Sequence, residues 1–310
     1  MAEEQKILVL LAAYNSQKYI EEQLLSILNQ THNQIHLLVS DDCSKDHTVD
    51  LIQQIDKKNP GRITLLTSTV NRGIIGNFST LMQHADADYI MFSDGDDVWL
   101  PRKVEQTLAK MVELEQSSDK KLPLLVHTDL AVVDRNLLTI HPSFWRYTHL
   151  SPHRHQTLNR QMAQNVITGC TIMVNRALLE LARPLPAGIM MHDWWLGLVA
   201  LAFGRVGIVS ESTMLYRQHG GNDTGAKKYG IVPFLKRVCQ KNKVLKNVNR
   251  YSQAQLFLDC YQDRLHSDQL QAIQAFLHKE QVGFLSRFYL ICKYRFFKHG
   301  FLRNLHNLFQ

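Results

Sequence analysis

Ile90-Met91-Phe92-Ser93-Asp94-Gly95-Asp96-Asp97-Val98-Trp99-Leu100-Pro101 is the stretch on which the reading of the chain turns. A short apolar run of strand length ends in three carboxylates within four positions, and a proline then opens a helical pattern. Like charges this close repel, and they are tolerated best where a cation or a metal-bound phosphate sits among them. Asp94-Gly95-Asp96 is therefore the candidate centre of the chemistry, with Asp97 a candidate cap for the following helix.

Upstream, Ile7 to Ala13 is a continuous apolar run, followed by Tyr14-Asn15-Ser16 as a turn with a capping residue. Ile20, Leu24, Ile27 and Leu28 recur at helical spacing. The alternation continues with a strand from Ile35 ending at Asp41-Asp42, a helix over Val49, Ile52 and Ile55, a strand over Ile63 to Leu66, and a helix over Phe78, Leu81 and Met82. Strands alternating with helices imply a parallel sheet with ligands at the carboxyl ends of its strands. Tyr14-Asn15, Asp41-Asp42 and Asp94-Gly95-Asp96 each follow such a strand, so they fall along one sheet edge. Taken singly, Asn15 and Asp42 read equally well as turn and cap residues.

Downstream, Val104, Leu108 and Met111 give a helix, Leu124 to His127 a strand ending at Thr128-Asp129, and 141–164 a loop or lid with short helices. A strand introduced by Thr168-Gly169 follows, then a helix from Ala177 stopped by Pro184. His192-Asp193-Trp194-Trp195 opens a buried helix whose adjacent tryptophans point to different faces, one of them a candidate pocket wall. Leu215 to His219 leaves a strand for a loop at Gly220-Gly221-Asn222.

The composition, 45% hydrophobic and 20% charged over 310 residues, excludes disordered and fibrous classes. Met1 to Lys6 lacks the basic-then-apolar order of a secretory signal, and no apolar run approaches the roughly 20 residues of a membrane span. A cytoplasmic protein is expected. Five scattered cysteines without Cys-x-x-Cys spacing point to neither a disulfide framework nor a zinc knuckle. The net charge of +7 is concentrated: residues 231–310 hold 13 Lys or Arg against 4 Asp or Glu, and residues 1–230 hold 22 against 24. An anionic partner for the last quarter follows, a membrane surface or a nucleic acid.

Six ordered segments carry a resemblance: Leu11-Ala12-Ala13-Tyr14-Asn15, Val39-Ser40-Asp41-Asp42-Cys43-Ser44, Ser93 to Pro101, Thr168-Gly169-Cys170-Thr171, His192-Asp193-Trp194-Trp195 and Tyr216-Arg217-Gln218-His219. Together they resemble the family 2 inverting glycosyltransferases of the GT-A fold, within them the bacterial rhamnosyltransferase branch of cell-surface polysaccharide synthesis. The resemblance covers about residues 6–225 and implies an α/β, Rossmann-like, mostly parallel sheet flanked by helices. It implies a catalytic domain over 1–225, with a nucleotide-sugar half to about 100 and an acceptor half beyond it, and a helical basic region over 226–310.

The same resemblance implies the site. Asp96 would hold Mn²⁺ or Mg²⁺, with Asp94 bridging to ribose or metal-bound water. Tyr14 would pack on a uracil or thymine base whose N3–H Asp42 accepts, with Ala12 and Asn15 beside them and Arg72 near phosphate. Asp193 takes the position of the general base, its pKa raised by its tryptophan neighbours. Arg217 would meet the diphosphate, His219 the metal, and Trp194 and Trp195 the acceptor, with core packing an equally good reading of Trp195. The expected donor is dTDP-L-rhamnose, with UDP-galactose, UDP-glucose and UDP-N-acetylhexosamine as alternatives, and the expected acceptor is a glycan or lipid-linked.

Residues 283–310 interleave Phe284, Leu285, Phe288, Tyr289 and Phe301 with Arg287, Lys293, Arg295 and Lys298, and contain no acidic residue. That pattern suits peripheral binding at the inner face of an anionic membrane, or packing on the catalytic domain or a dimer partner. A nucleic-acid-binding protein is the weaker reading, because no recognition motif accompanies the charge. A metal-dependent nucleotidyl or phosphoryl transferase would leave Thr168-Gly169 and His192 to Trp195 without a role.

Overall fold

In the computed structural model, residues 6–118, 121–219 and 244–308 are described. The first half is the alternation read from the sequence: β1 (Ile7–Ala13), α1 (Ile20–Leu28), β2 (Ile35–Asp41), α2 (Thr48–Lys58), β3 (Ile63–Thr67), α3 (Gly73–His84) and β4 (Tyr89–Asp94). The β1 run is apolar throughout because both sheet faces are covered. Ile7, Val9 and Leu11 pack with Ile20, Leu24, Ile27 and Ile52 from α1 and α2, whereas Leu8 and Leu10 pack with Phe78, Leu81 and Met82 from α3. Ser16 does not cap α1 with its side chain; it is the Ser16 carbonyl that accepts the N–H groups of Tyr19 and Ile20.

The second half contains β5 (Val98–Trp99), α4 (Lys103–Gln116), β6 (Leu124–Asp134), β7 (Thr139–His141), α5 (Phe144–Thr148), α6 (Leu158–Ala163), β8 (Ile172–Asn175), α7 (Arg176–Ala182), α8 (His192–Phe203) and β9 (Arg205–Gln218). The sheet runs β3-β2-β1-β4-β8-β6-β9-β5, with β7 beside β6. Pairing is parallel from β3 to β4 and between β6 and β9; β8 is antiparallel to both of its neighbours and β5 to β9. Three boundaries differ from expectation. The strand opening at Leu124 runs to Asp134, its pairing with β9 shifting register around Asp129. β8 starts only at Ile172, because Gly169–Thr171 is a 3-10 turn. Val98–Trp99, between the acidic residues and the helix expected after Pro101, is a short edge strand held by Met214 and Leu215.

The segment expected as a lid is packed. Ser143 and Thr157 cap α5 and α6 with their side chains, and Trp145, Leu158 and Met162 are buried. Beyond the undescribed 220–243, where the Gly220-Gly221-Asn222 loop and the 225/226 boundary fall, come α9 (Val244–Tyr261), α10 (Ser267–His278), α11 (Phe284–Tyr294) and α12 (Phe301–Leu308). Phe257, Tyr261, Ile273, Phe276, Ile291 and Phe296 share one core with Trp194, Trp195 and Leu196 of α8. The C-terminal helices are thereby packed on α8.

Candidate active site

Strand register sets the first tier of the site. Ala12 lies beside Asp94 on one side and Ser40 on the other, and Ala13 beside Asp41, so the polar ends of β1, β2 and β4 stand level. Three loops beyond them are laced together. The Asn15 N–H donates to Ser44 Oγ (2.8 Å), and Asn15 Oδ1 accepts from the Lys45 N–H (2.9 Å). Asn15 adopts φ of +47°, left-handed backbone that Asn tolerates, while Tyr14 stays exposed above it.

Asp42 is buried, and its carboxylate accepts the N–H groups of Arg72 (2.9 Å) and Gly73 (2.8 Å). It holds the entry to α3, satisfying donors that a helix N-terminus leaves open. Arg72 places its guanidinium on Thr80 Oγ1 of the same helix (2.8 Å).

At the acidic turn, Gly95 meets the first loop: a Cβ there would lie 2.8 Å from Ser16 Oγ. Asp94 and Asp96 remain partly accessible, and Asp96 Oδ2 is 2.8 Å from His219 Nε2. Asp97 is fully buried and is not a helix cap. Its Oδ1 accepts the Arg217 N–H (3.1 Å), and burial, then the charges of Asp96 and Asp94, push its pKa well above the usual carboxylate range.

Arg217 departs from expectation as well. It is buried, donating from Nε to the Asp96 carbonyl (2.8 Å), from Nη1 to the Arg135 carbonyl (2.8 Å) and from Nη2 to Glu22, with its guanidinium over Tyr19. These bonds commit it to fixing the acidic turn against α1 and β6, a positioning role in place of the expected diphosphate contact.

Two sets of groups could receive a cation. Among the described residues, ligand atoms of Asp94, Asp97 and Cys170 lie within 4.8 Å of one another. Burial raises the pKa of both Asp97 and Cys170, which opposes the ionised forms that ligate a cation, and a thiol suits soft metals. Asp94 and Asp96 with His219 offer accessible oxygens and an imidazole, a donor set that fits Mn²⁺ or Mg²⁺. The second set is the better fit on chemistry, although the first is the tighter by distance.

Asp193 opens α8 and is buried (7% exposed). Burial raises its pKa to about 7 against the opposing bonds from the Trp194 and Gly169 N–H groups and the Asn165 side chain. Gly169 and Cys170 are thus a two-residue bridge, the first bonded to Asp193 and the second lying against Asp94 and Asp97. Gly169 leaves no room for a side chain, since a Cβ would sit 2.6 Å from His192 Nε2.

The tryptophans are corrections. Trp195 is 0% exposed, its ring 5.5 Å from Phe257 and 5.8 Å from Tyr261, and Trp194 is buried with Nε1 donating to the Gln161 carbonyl (2.7 Å). Neither forms an open platform for an acceptor. Residues not foreseen include Glu22, Cys170 and Lys103, whose Nζ is buried, donates to the Cys170 carbonyl (2.9 Å) and lies 4.7 Å over Trp99. Burial lowers the Lys103 pKa to about 8. A signal existed: Lys103, Thr107, Met111 and Leu114 share one helical face, and all are buried.

Residues 8–120 match the family model described as Glycosyl transferase family 2. The chain carries a glycosyltransferase family 2 domain. Over 260 residues the chain is 28% identical to a protein named dTDP-rhamnosyl transferase RfbG of Shigella flexneri, spanning 77% of this chain and 83% of that one. A 105-residue stretch is 31% identical to UDP-Glc:alpha-D-GlcNAc-diphosphoundecaprenol beta-1,3-glucosyltransferase WfgD of Escherichia coli, 34% of this chain and 40% of its relative. In fold, the chain matches Staphylococcus aureus TarS 1-349 in complex with UDP-GlcNAc (TM-score 0.58, 16% identity, 98% and 92% of the two chains). It also matches mannosyltransferase PcManGT from Pyrobaculum calidifontis in complex with GDP-Man and Mn²⁺ (TM-score 0.54, 16% identity, 99% and 86%). The fold is GT-A, as expected.

Proposed function

We propose that this chain is a metal-dependent, inverting glycosyltransferase that moves a sugar from a nucleoside-diphosphate donor to a glycan or lipid-linked acceptor of bacterial surface polysaccharide. The observation that supports this reading is the Gly169-Cys170 bridge: Gly169 bonds to Asp193, a carboxylate whose pKa burial raises, and Cys170 has its sulfur within 4.8 Å of an Asp94 oxygen, next to the accessible Asp96. Asp193 takes the proton of an acceptor hydroxyl as its oxygen bonds to the anomeric carbon, on the face opposite the departing diphosphate. Asp94 and Asp96, with His219, would hold a divalent cation, which when bound offsets the negative charge of the leaving group. Tyr14, exposed at the sheet edge, receives the base, with Ala12, Asn15 and Asp42 framing it. The rigid packing of Asp97 and Arg217 keeps the acidic turn in one geometry.

Similarity to the relative named a dTDP-rhamnosyl transferase supports dTDP-L-rhamnose as donor, and the UDP-linked names and complexes support a UDP-sugar as the alternative. Among the described residues no helix is long and apolar enough to cross a membrane.

A thermal-shift series with dTDP, UDP, GDP and AMP, with and without Mn²⁺, tests the site. A pyrimidine diphosphate should stabilise the chain, and chelation should reverse the gain. Equal stabilisation in chelator would exclude the metal, and none by any pyrimidine diphosphate would exclude the donor site. Donor hydrolysis across a panel of sugar nucleotides then identifies the sugar. Release of a nucleoside monophosphate in place of the diphosphate would favour a nucleotidyl transferase.

A further inference from the structure

α11 is inside out. Its period places Leu285, Phe288, Tyr289 and Cys292 on one face, and all four are exposed, Leu285 at 79%. Ile291 is the buried residue of this helix, while Arg287 faces inward far enough to donate to the carbonyls of Lys279 (3.0 Å) and Val282 (3.3 Å). Phe284 extends the outer face at the helix start, and Phe301, 77% exposed, and Leu305 form a one-turn-spaced apolar pair on α12. Water-facing helices ordinarily carry polar residues on that side. A contiguous run of large apolar side chains turned outward marks an interaction surface.

Charge selects the partner. Lys293 and Arg295 are exposed at the end of α11, with Lys293 Nζ 5.6 Å from the Tyr289 ring, and residues 281–310 contain five Lys or Arg and no Asp or Glu. A second copy of the chain docked through the same face would bring like charges together, whereas an anionic lipid surface would meet them with opposite ones. Aromatic and aliphatic side chains ringed by basic ones are also the composition of a helix that lies in the headgroup region.

The surface is tied to the catalytic half. Asn159 of α6 donates to the Tyr294 carbonyl (2.8 Å), His155 and His299 share a ring hydrogen bond (2.8 Å), and Arg303 donates to the Thr148 carbonyl (2.9 Å). α6 in turn packs on α8, whose first turn holds Asp193, and Trp194 donates to the Gln161 carbonyl of α6. The basic apolar face and the Asp193 end of the site therefore belong to one packed unit.

We propose that the outer face of α11, with Phe301 and Leu305 of α12, seats the protein on an anionic bilayer, so that an acceptor carried on a lipid is offered at the Asp193 side. The docking surface stands on α11 and α12 alone; only the second clause rests on the glycosyl-transfer reading.

The test is co-sedimentation of the full chain with vesicles of phosphatidylcholine, alone or with phosphatidylglycerol. Binding is expected to the mixed vesicles, to fall with rising salt, and to weaken about tenfold or more in Lys293→Glu/Arg295→Glu. Leu285→Ser/Phe288→Ser/Tyr289→Ser should weaken it comparably. Both variants should keep the wild-type melting temperature and nucleotide-induced shift, so a folding defect or a failed donor site is read separately from a failed docking surface. Equal binding to both vesicle types, or unchanged binding by the two variants, overturns the proposal. So does a concentration-dependent dimer that the triple variant dissociates, which would make this face a self-association surface.

Discussion

Asp193 and Arg217 separate the two ways a charged residue earns its place near a reacting centre. Asp193 has a pKa raised to about 7 by burial, so its proton is held more tightly than in the unfolded chain, where a carboxylate titrates near 4. Its stability contribution is full below about pH 4 and is lost as pH rises through about 7. Catalysis has the opposite need, because only the ionised form accepts a proton. The acidic limb of kcat/KM should therefore break near pH 7, and Asp193→Asn should reduce turnover by about a hundredfold or more while nucleotide affinity holds. Wild-type turnover by Asp193→Asn would remove it as the base. For Arg217, the bonds to the Asp96 carbonyl, the Arg135 carbonyl and Glu22 imply that Arg217→Met loosens the acidic turn. Turnover should fall, and the loss of melting temperature should correspond to about 1–3 kcal/mol, the cost of leaving the Asp96 and Arg135 carbonyls without their donor, since the half-exposed Glu22 adds little. A variant with weakened donor binding and an unchanged melting temperature would instead return Arg217 to the diphosphate. The sequence carries no trace of this choice, since Arg217 and Glu22 are 195 positions apart and meet only through β9.

Among elements, those with a strong period were legible. β1, α1 and α8 fall where their apolar spacing places them, because both-face burial and helical stripes leave the same mark in sequence and structure. The Asp94–Asp96 turn and the edge shared by Tyr14, Asp42 and Asp94 were legible for the same reason: parallel strands bring their carboxyl ends to one side. β5 was not, since two residues carry no period and are strand only through Met214 and Leu215. Nor was the role of Trp195, because a helix buried all round has no polar face from which to tell pocket from core. Its partners, Phe257 and Tyr261, lie on α9. Trp195→Ala should accordingly cost about 3–5 kcal/mol by leaving a cavity between α8 and α9. Chemical denaturation should show a lower midpoint, with acceptor KM moving far less than stability. A raised acceptor KM at unchanged stability would mean that the ring reaches the acceptor after all.

At the scale of the molecule, buried histidines set the acid limit. Burial lowers His127, His155 and His192 to about 3 and His299 to about 4. These depressed values contribute stability that is complete above about pH 6.5, the unfolded value, and is lost as pH falls toward 4. Asp97, Asp129 and Asp193, whose pKa values burial raises, act in the other direction, three carboxyls against four imidazoles. The melting temperature should drop steeply from pH 6.5 to 4.5, and a flat profile there would contradict the burial of these rings as neutral bases.

The length and position of β9 have a further consequence, for the order in which the protein is made. Its 14 residues lie against β6 and β5, and Arg217 reaches back 121 positions to Asp96. On a ribosome, the parallel half from β3 to β4 has emerged and can collapse long before β9 exists. Loop-closure entropy further delays such a distant pairing. The carboxylates of the acidic turn are thus synthesised early and immobilised late: chains cut off before residue 205 would carry every acidic residue of the site and lack the Arg217 bonds that hold the turn.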